Sequence, residues 1–157
     1  MASMKTVAAK IVILMAITIL FDAPSIGQTV STKTIADDAY AMEGYYKVRW
    51  GYADEFLQLY KKNHYPLLKK ALEKGDILKI TMEKPRLHST EEGRWDYKVT
   101  LVFKNVQSAI DPNLTELYKK QLYPDLDKLK KEEQHRFELL IAHWDVAVQN
   151  VDLDKQD

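Results

Sequence analysis

His64 is the side chain best suited to acid, base or ligand-donor chemistry, because an imidazole titrates near neutrality. It lies between Asn63 and Tyr65, and the three could line a cleft between a helix and a sheet. The commoner role for such a residue is a hydrogen-bonded or solvent-facing structural histidine. Arg49 alternates away from Val48 and Trp50. On that face a guanidinium can hold a carboxylate or phosphate, or close an ion pair with an acid such as Glu83. Trp50, Trp95, Tyr97, Phe103 and Trp144 are expected to build a core, although the same residue types line pockets for apolar ligands. The candidate ligand-binding set is therefore His64, Tyr65, Arg49, Trp50 and Trp95.

Other constellations point to less. His88 stands among Arg86, Glu91, Glu92 and Arg94, the composition of a solvated loop tip. His135 and His143 are eight residues apart, and no pair of the four histidines has the spacing of a local metal motif, so no metal site is expected. With no cysteine there is no disulfide, thiol nucleophile or thiolate site. A glycine-rich phosphate loop, Gly-x-Ser-x-Gly and His-Glu-x-x-His are all missing, and no cofactor is expected. Catalysis is left open.

Twenty-three basic residues balance twenty-three acidic ones, which gives no overall footprint for nucleic acid. Lys5 and Lys10 precede an apolar run from Ile11 to Phe21, and Ser25-Ile26-Gly27 offers small residues for cleavage. That is the layout of a signal peptide over residues 1–27, and eleven apolar residues fall short of the roughly 20 needed to span a bilayer. The expectation is an exported protein, periplasmic or secreted, with no stable membrane anchor after processing. A flexible lead-in over 28–39, a domain over 40–154 and a short tail over 155–157 complete the plan.

The elements that must position these residues follow from periodicity. Tyr46, Val48 and Trp50 alternate with Tyr45, Lys47 and Arg49 as in a half-buried strand. From Ala53 to Leu72 the apolar spacing becomes helical, with a kink or restart at Pro66 and a stop at Gly75. Leu78, Ile80 and Met82 mark a second strand, and Trp95 to Phe103 a third, separated by a long hairpin loop over 86–94. A second helical region opens at Asp111-Pro112-Asn113, breaks at Pro124 and runs through Leu140 and Ile141. Trp144, Val146 and Val148 alternate with Asp145, Ala147 and Gln149 as a last strand.

The halves repeat. Leu59 to Lys70 and Leu117 to Lys128 share eight of twelve residues, including Tyr65-Pro66 and Tyr123-Pro124, with His64 matched by Leu122. Tyr46-Lys47-Val48 and Tyr97-Lys98-Val99 lie upstream of the two copies. Two copies can form one pseudo-symmetric domain. The expected fold is α+β, a ferredoxin-like βαββαβ unit with a four-stranded antiparallel sheet and its helices on one face. The uncovered face is expected to carry Lys47, Arg49, Thr81, Lys98, Thr100, Val102 and Ala147.

On the strand Tyr45 to Trp50, the helix with Phe56-Leu57-Gln58-Leu59-Tyr60-Lys61-Lys62, Gly75 and the terminal His143-Trp144-Asp145-Val146, the chain resembles the dimeric α/β-barrel superfamily. It is similar in particular to small exported members without an assigned activity. The resemblance implies a homodimer closed through the open sheet faces, with a small apolar or aromatic ligand in a sheet–helix cavity. It also brings alternatives: a cofactor-independent monooxygenase or cyclase, with His64 and Arg49 assisting, and a haem-binding protein. Haem-degrading members use an Asn on the first strand, a Trp on the third and a His on the second helix. Trp95 and His135 match two of these positions, and Tyr46 to Trp50 lacks the Asn.

Overall fold

The computed structural model describes residues 38–151, 153 and 154. The signal segment over 1–27, nearly all of the lead-in over 28–39 and the tail over 155–157 lie outside the described residues. Four strands, β1 (Tyr40–Val48), β2 (Ile77–Glu83), β3 (Tyr97–Phe103) and β4 (Leu140–Val148), form one sheet in the order β2-β3-β1-β4. Every neighbouring pair is antiparallel. The connections are helical: α1 (Ala53–Leu59), a π-helical segment (Tyr60–His64) and α2 (Tyr65–Lys74) in the first half, and α3 (Val106–Ile110), α4 (Glu116–Leu122) and α5 (Leu126–Glu138) in the second. No helix among the described residues is long and apolar enough to cross a membrane.

The alternation in β1 and β3 has the expected sense. Tyr46, Val48, Tyr97, Val99 and Phe103 are buried against Phe56, Tyr60, Leu67, Leu68 and Ala71 of the first helical connection. Tyr46 pairs directly with Tyr97, so the two upstream copies of the repeat lie side by side at the centre of the sheet. In β2 the register shifts between Ile77 and Lys79, and Ile77 takes the fully buried position expected for Leu78.

Both Tyr-Pro pairs interrupt a helix, in different ways. Pro66 has no N–H, so the carbonyl of Lys62 four residues earlier loses its usual donor. The chain widens there into the π-helical segment and continues. The Tyr123 hydroxyl braces this turn, donating to Lys62 O at 2.9 Å and Asn63 O at 3.0 Å. In the second copy Tyr123 itself is extended, the conformation favoured before proline. Asp125 restarts the helix as an N-cap, accepting from Lys128 N at 2.9 Å. The first copy has Leu67 where the second has this cap, so it must pass through Pro66 without a break.

Several expectations are corrected. Trp50 is not core: β1 ends at Val48, and Trp50 lies beyond it, 71% exposed, beneath the Arg94 guanidinium at 4.2 Å. Arg49 is likewise past the strand end and exposed, and Glu83 pairs with Lys98 at 2.9 Å rather than with Arg49. The third strand begins at Tyr97, after Trp95. Leu140 and Ile141 belong to β4 rather than to the second helix.

The largest correction concerns β4. Trp144 pairs with Tyr45, Val146 with Glu43 and Val148 with Ala41. Directly paired residues share a face, so Trp144 and the two valines point away from the helices, while Ala147 points towards them. Position alone cannot fix the sense of an edge strand. The pairing register decides it.

Candidate functional site

Two buried arginines, Arg94 and Arg136, organise the helix-side polar groups, and their surroundings are opposite. Arg94 is satisfied on every side. Its Nη1 donates to Asp96 at 2.5 Å, its Nη2 to Val48 O at 3.0 Å and its Nε to Glu91 at 3.1 Å. Asp96 accepts from Val48 N at 2.7 Å, so the loop between β2 and β3 is pinned to the end of β1. Hydrogen bonds from Arg94, then from Lys47, hold the Glu91 carboxyl down to about 2. The saturated valences of Arg94 fit an anchor for this loop.

Arg136 is 3% exposed and makes no hydrogen bond or ion pair among the described residues; its Nε is buried without a partner. Aromatic rings surround its guanidinium: Phe137 at 4.7 Å, Tyr60 at 5.8 Å and Phe56 at 5.9 Å. Its place on the core side follows from helical spacing, seven residues after the buried Leu129. Beside it the Tyr60 hydroxyl is also buried, with the Tyr46 hydroxyl as its polar neighbour.

His64 enters this cluster from the π-helical segment, with its ring edge-on to Tyr60 at 5.0 Å. Burial, then the positive charge of Arg136, pushes its pKa down to about 4, so the ring is neutral at physiological pH. Tyr46 stacks on His143 at 4.3 Å and meets Tyr60 at 5.9 Å. Burial raises the Tyr46 phenol to about 12 and raises Tyr60 as well, so both keep their protons. His143 lies 3.7 Å from Asp145, whose side chain is half exposed. Gly44 faces this group, and a methyl there would meet Asp145 Oδ1 at 2.8 Å.

An apolar cavity of about 450 Å³ opens between the first helical connection and β2–β3, lined by Tyr60, Lys61, Tyr65, Ile80, Met82 and Val99. Tyr60 thus walls the cavity and contributes to the polar cluster. The π-helical segment supplies both faces: Lys61 towards the cavity, and His64 towards Arg136.

The five residues singled out in the sequence are dispersed. Tyr65 lines the apolar cavity and His64 joins the polar cluster. Trp50 and Trp95 line a separate cleft of about 300 Å³ with His88 and Arg94. Arg49 joins none of these groups. Trp95 meets Tyr45 edge-on at 5.8 Å on the open face, whereas His135 is exposed on α5 and bonded to Glu55 at 2.8 Å. The two haem-associated positions are therefore not brought together. No metal-competent cluster of three His, Cys, Asp or Glu is found among the described residues. Sequence reasoning missed Arg136, whose only signal was a charge on an apolar helical stripe.

No protein-family model matches the sequence, and no curated protein matches it in sequence. Among solved structures, the chain is similar to a cofactor-independent oxygenase from Streptomyces nogalater, with 9% identity over 75% of this chain and 99% of that one, at a TM-score of 0.44. It is also similar to a NIPSNAP family protein from Agrobacterium tumefaciens, with 13% identity, 73% and 95% coverage and a TM-score of 0.45. A third is a dimeric protein of unknown function and ferredoxin-like fold from Bacteroides fragilis, with 15% identity, 72% and 97% coverage and a TM-score of 0.41. By its own strand order and antiparallel pairing, this chain is a ferredoxin-like α+β domain, the fold that its resemblance to the dimeric α/β-barrel superfamily implies.

Proposed function

We propose that this is an exported homodimer that binds a small apolar or aromatic ligand in the cavity between its first helical connection and its sheet. The cavity carries the ligand reading. Its volume of about 450 Å³ lies within the range of small-molecule sites, and Ile80, Met82 and Val99 give it an apolar floor. A π-helical segment at its wall is a feature that often accompanies functional sites.

The inverted sense of β4 supports the assembly. Trp144, Val146 and Val148 are 39%, 41% and 37% exposed on the open face, and Trp144 stacks on Tyr45 at 5.2 Å. The charges at the centre of that face are already compensated: Lys98 bonds Glu43 and Glu83, each at 2.9 Å, and Tyr45 donates to Glu43 at 2.6 Å. A paired charge can be covered at far lower cost than an isolated one, whose burial costs several kcal/mol. A second copy seated on this face removes the apolar strip from water and covers that compensated group, with Lys79 exposed on the edge strand β2 of the same face.

Naphthalene is a suitable neutral probe for the cavity. Calorimetry is expected to show saturable binding to the purified protein, abolished in Ile80→Trp, whose indole fills the space. Undiminished binding in that variant places the ligand elsewhere and overturns the reading.

A further inference from the structure

The cavity explains where an apolar ligand body would sit, and leaves a guanidinium buried next door with nothing to neutralise it. Arg136 and Tyr60 are each 3% exposed; Arg136 Nε lacks a partner, and the Tyr60 hydroxyl has only the Tyr46 hydroxyl beside it. Both are donors. Tyr46, Tyr60 and His64 feel the charge of Arg136, and Glu133 is the acid that acts on it, without forming an ion pair. Asp145 is half exposed and stands against His143. The cluster therefore holds a buried guanidinium with no ion-paired acid, edged by phenols that stay protonated.

Keeping a charge in that state is costly, and replacing such a group by an apolar one usually stabilises a protein. An incoming anion reverses the balance, because charge-assisted bonds to guanidinium are among the strongest polar contacts. Tyr60 supplies the connection: its ring walls the cavity, and the Arg136 guanidinium lies 5.8 Å from the centre of the same ring. We propose that Arg136 and Tyr60 form a buried receptor for the carboxylate of an aromatic acid whose ring occupies the apolar cavity. The inference rests on the cavity reading and adds the chemical class of the ligand. His64 borders the receptor as an uncharged ring.

Calorimetry with 2-naphthoate beside naphthalene tests it on the purified protein. Naphthoate is expected to bind at least tenfold more tightly than naphthalene. In Arg136→Met that advantage disappears while naphthalene binding persists, and the ligand-free protein melts at an equal or higher temperature. Tyr60→Phe, which removes only the buried hydroxyl, is expected to lose part of the preference and to keep the fold even if Arg136→Met does not. Naphthalene binding with no gain from the carboxylate overturns the receptor and leaves the cavity reading standing. Failure of both probes to bind overturns both. An unchanged preference in the two folded variants assigns the carboxylate to another cation and also overturns the proposal.

Discussion

His64 ties stability to pH through a depressed pKa. In the unfolded chain it takes up a proton near pH 6.5; in the folded protein it resists until about pH 4. The unfolded state therefore binds more protons between these values. Stability is fully present above about pH 6.5 and falls as pH drops towards 4, by up to about 3 kcal/mol for this one group. His135 has the opposite sense. Its pKa is raised by its bond to Glu55, so its contribution is lost as pH rises above the ordinary histidine range. His64→Leu, which installs the residue found at the matching position of the second copy, is expected to flatten the acid side. Urea midpoints at pH 4.5 and 7 check this, and an unchanged difference between them removes His64 as the source. The sequence showed that His64 breaks the repeat. It could not show the Arg136 charge beside it, because 72 residues separate the two and only the packing of α5 brings them together.

The continuity of the first helical connection depends on a bond from the other half of the chain. Tyr123 donates to the carbonyls of Lys62 and Asn63, in the turn that widens ahead of Pro66. Tyr123→Phe is expected to cost about 1 kcal/mol, the usual net value of one such bond. In a Pro66→Ala background, where residue 66 regains its N–H, the same change should cost less. Denaturant titration of the four proteins in this cycle measures the coupling, and strictly additive losses would show that the two sites act independently. Proline positions marked the interruptions in advance, and Gly75, with φ of 82° as the left-handed cap of α2, marked the stop. Whether a proline breaks the helix or is accommodated was decided by the neighbouring residue, Asp125 in one copy and Leu67 in the other. The edge strand was less legible. In β4 the larger side chains suggested a core face, and the register with β1 turned them outward.

The proposed assembly rests on that reversal. Two sheets closing on each other would bury Trp144, Val146 and Val148, and a lysine at their centre would leave a charge without a partner. Protein recovered from outside the producing cell is expected to have the mass of residues 28–157 and to scatter light as a dimer at micromolar concentration, with Trp144→Lys/Val146→Lys a folded monomer. A wild-type monomer would sink the assembly, and an unprocessed mass the cleavage after Gly27. Without cysteine, no disulfide adds to the packing, and the proposed association would stabilise the fold by mass action. By itself the sequence determined the order of elements, the helix stops and the internal duplication, because these depend on local periodicity and on backbone chemistry at proline and glycine. It also determined the ferredoxin-like plan, since two short crossovers around a hairpin leave few alternatives. Tertiary structure alone decided which side of β4 faces out, which arginine is satisfied and which is left charged, and where an apolar cavity opens. Those outcomes depend on pairing register and on contacts between distant residues, for which a linear pattern of apolar and polar positions carries no term.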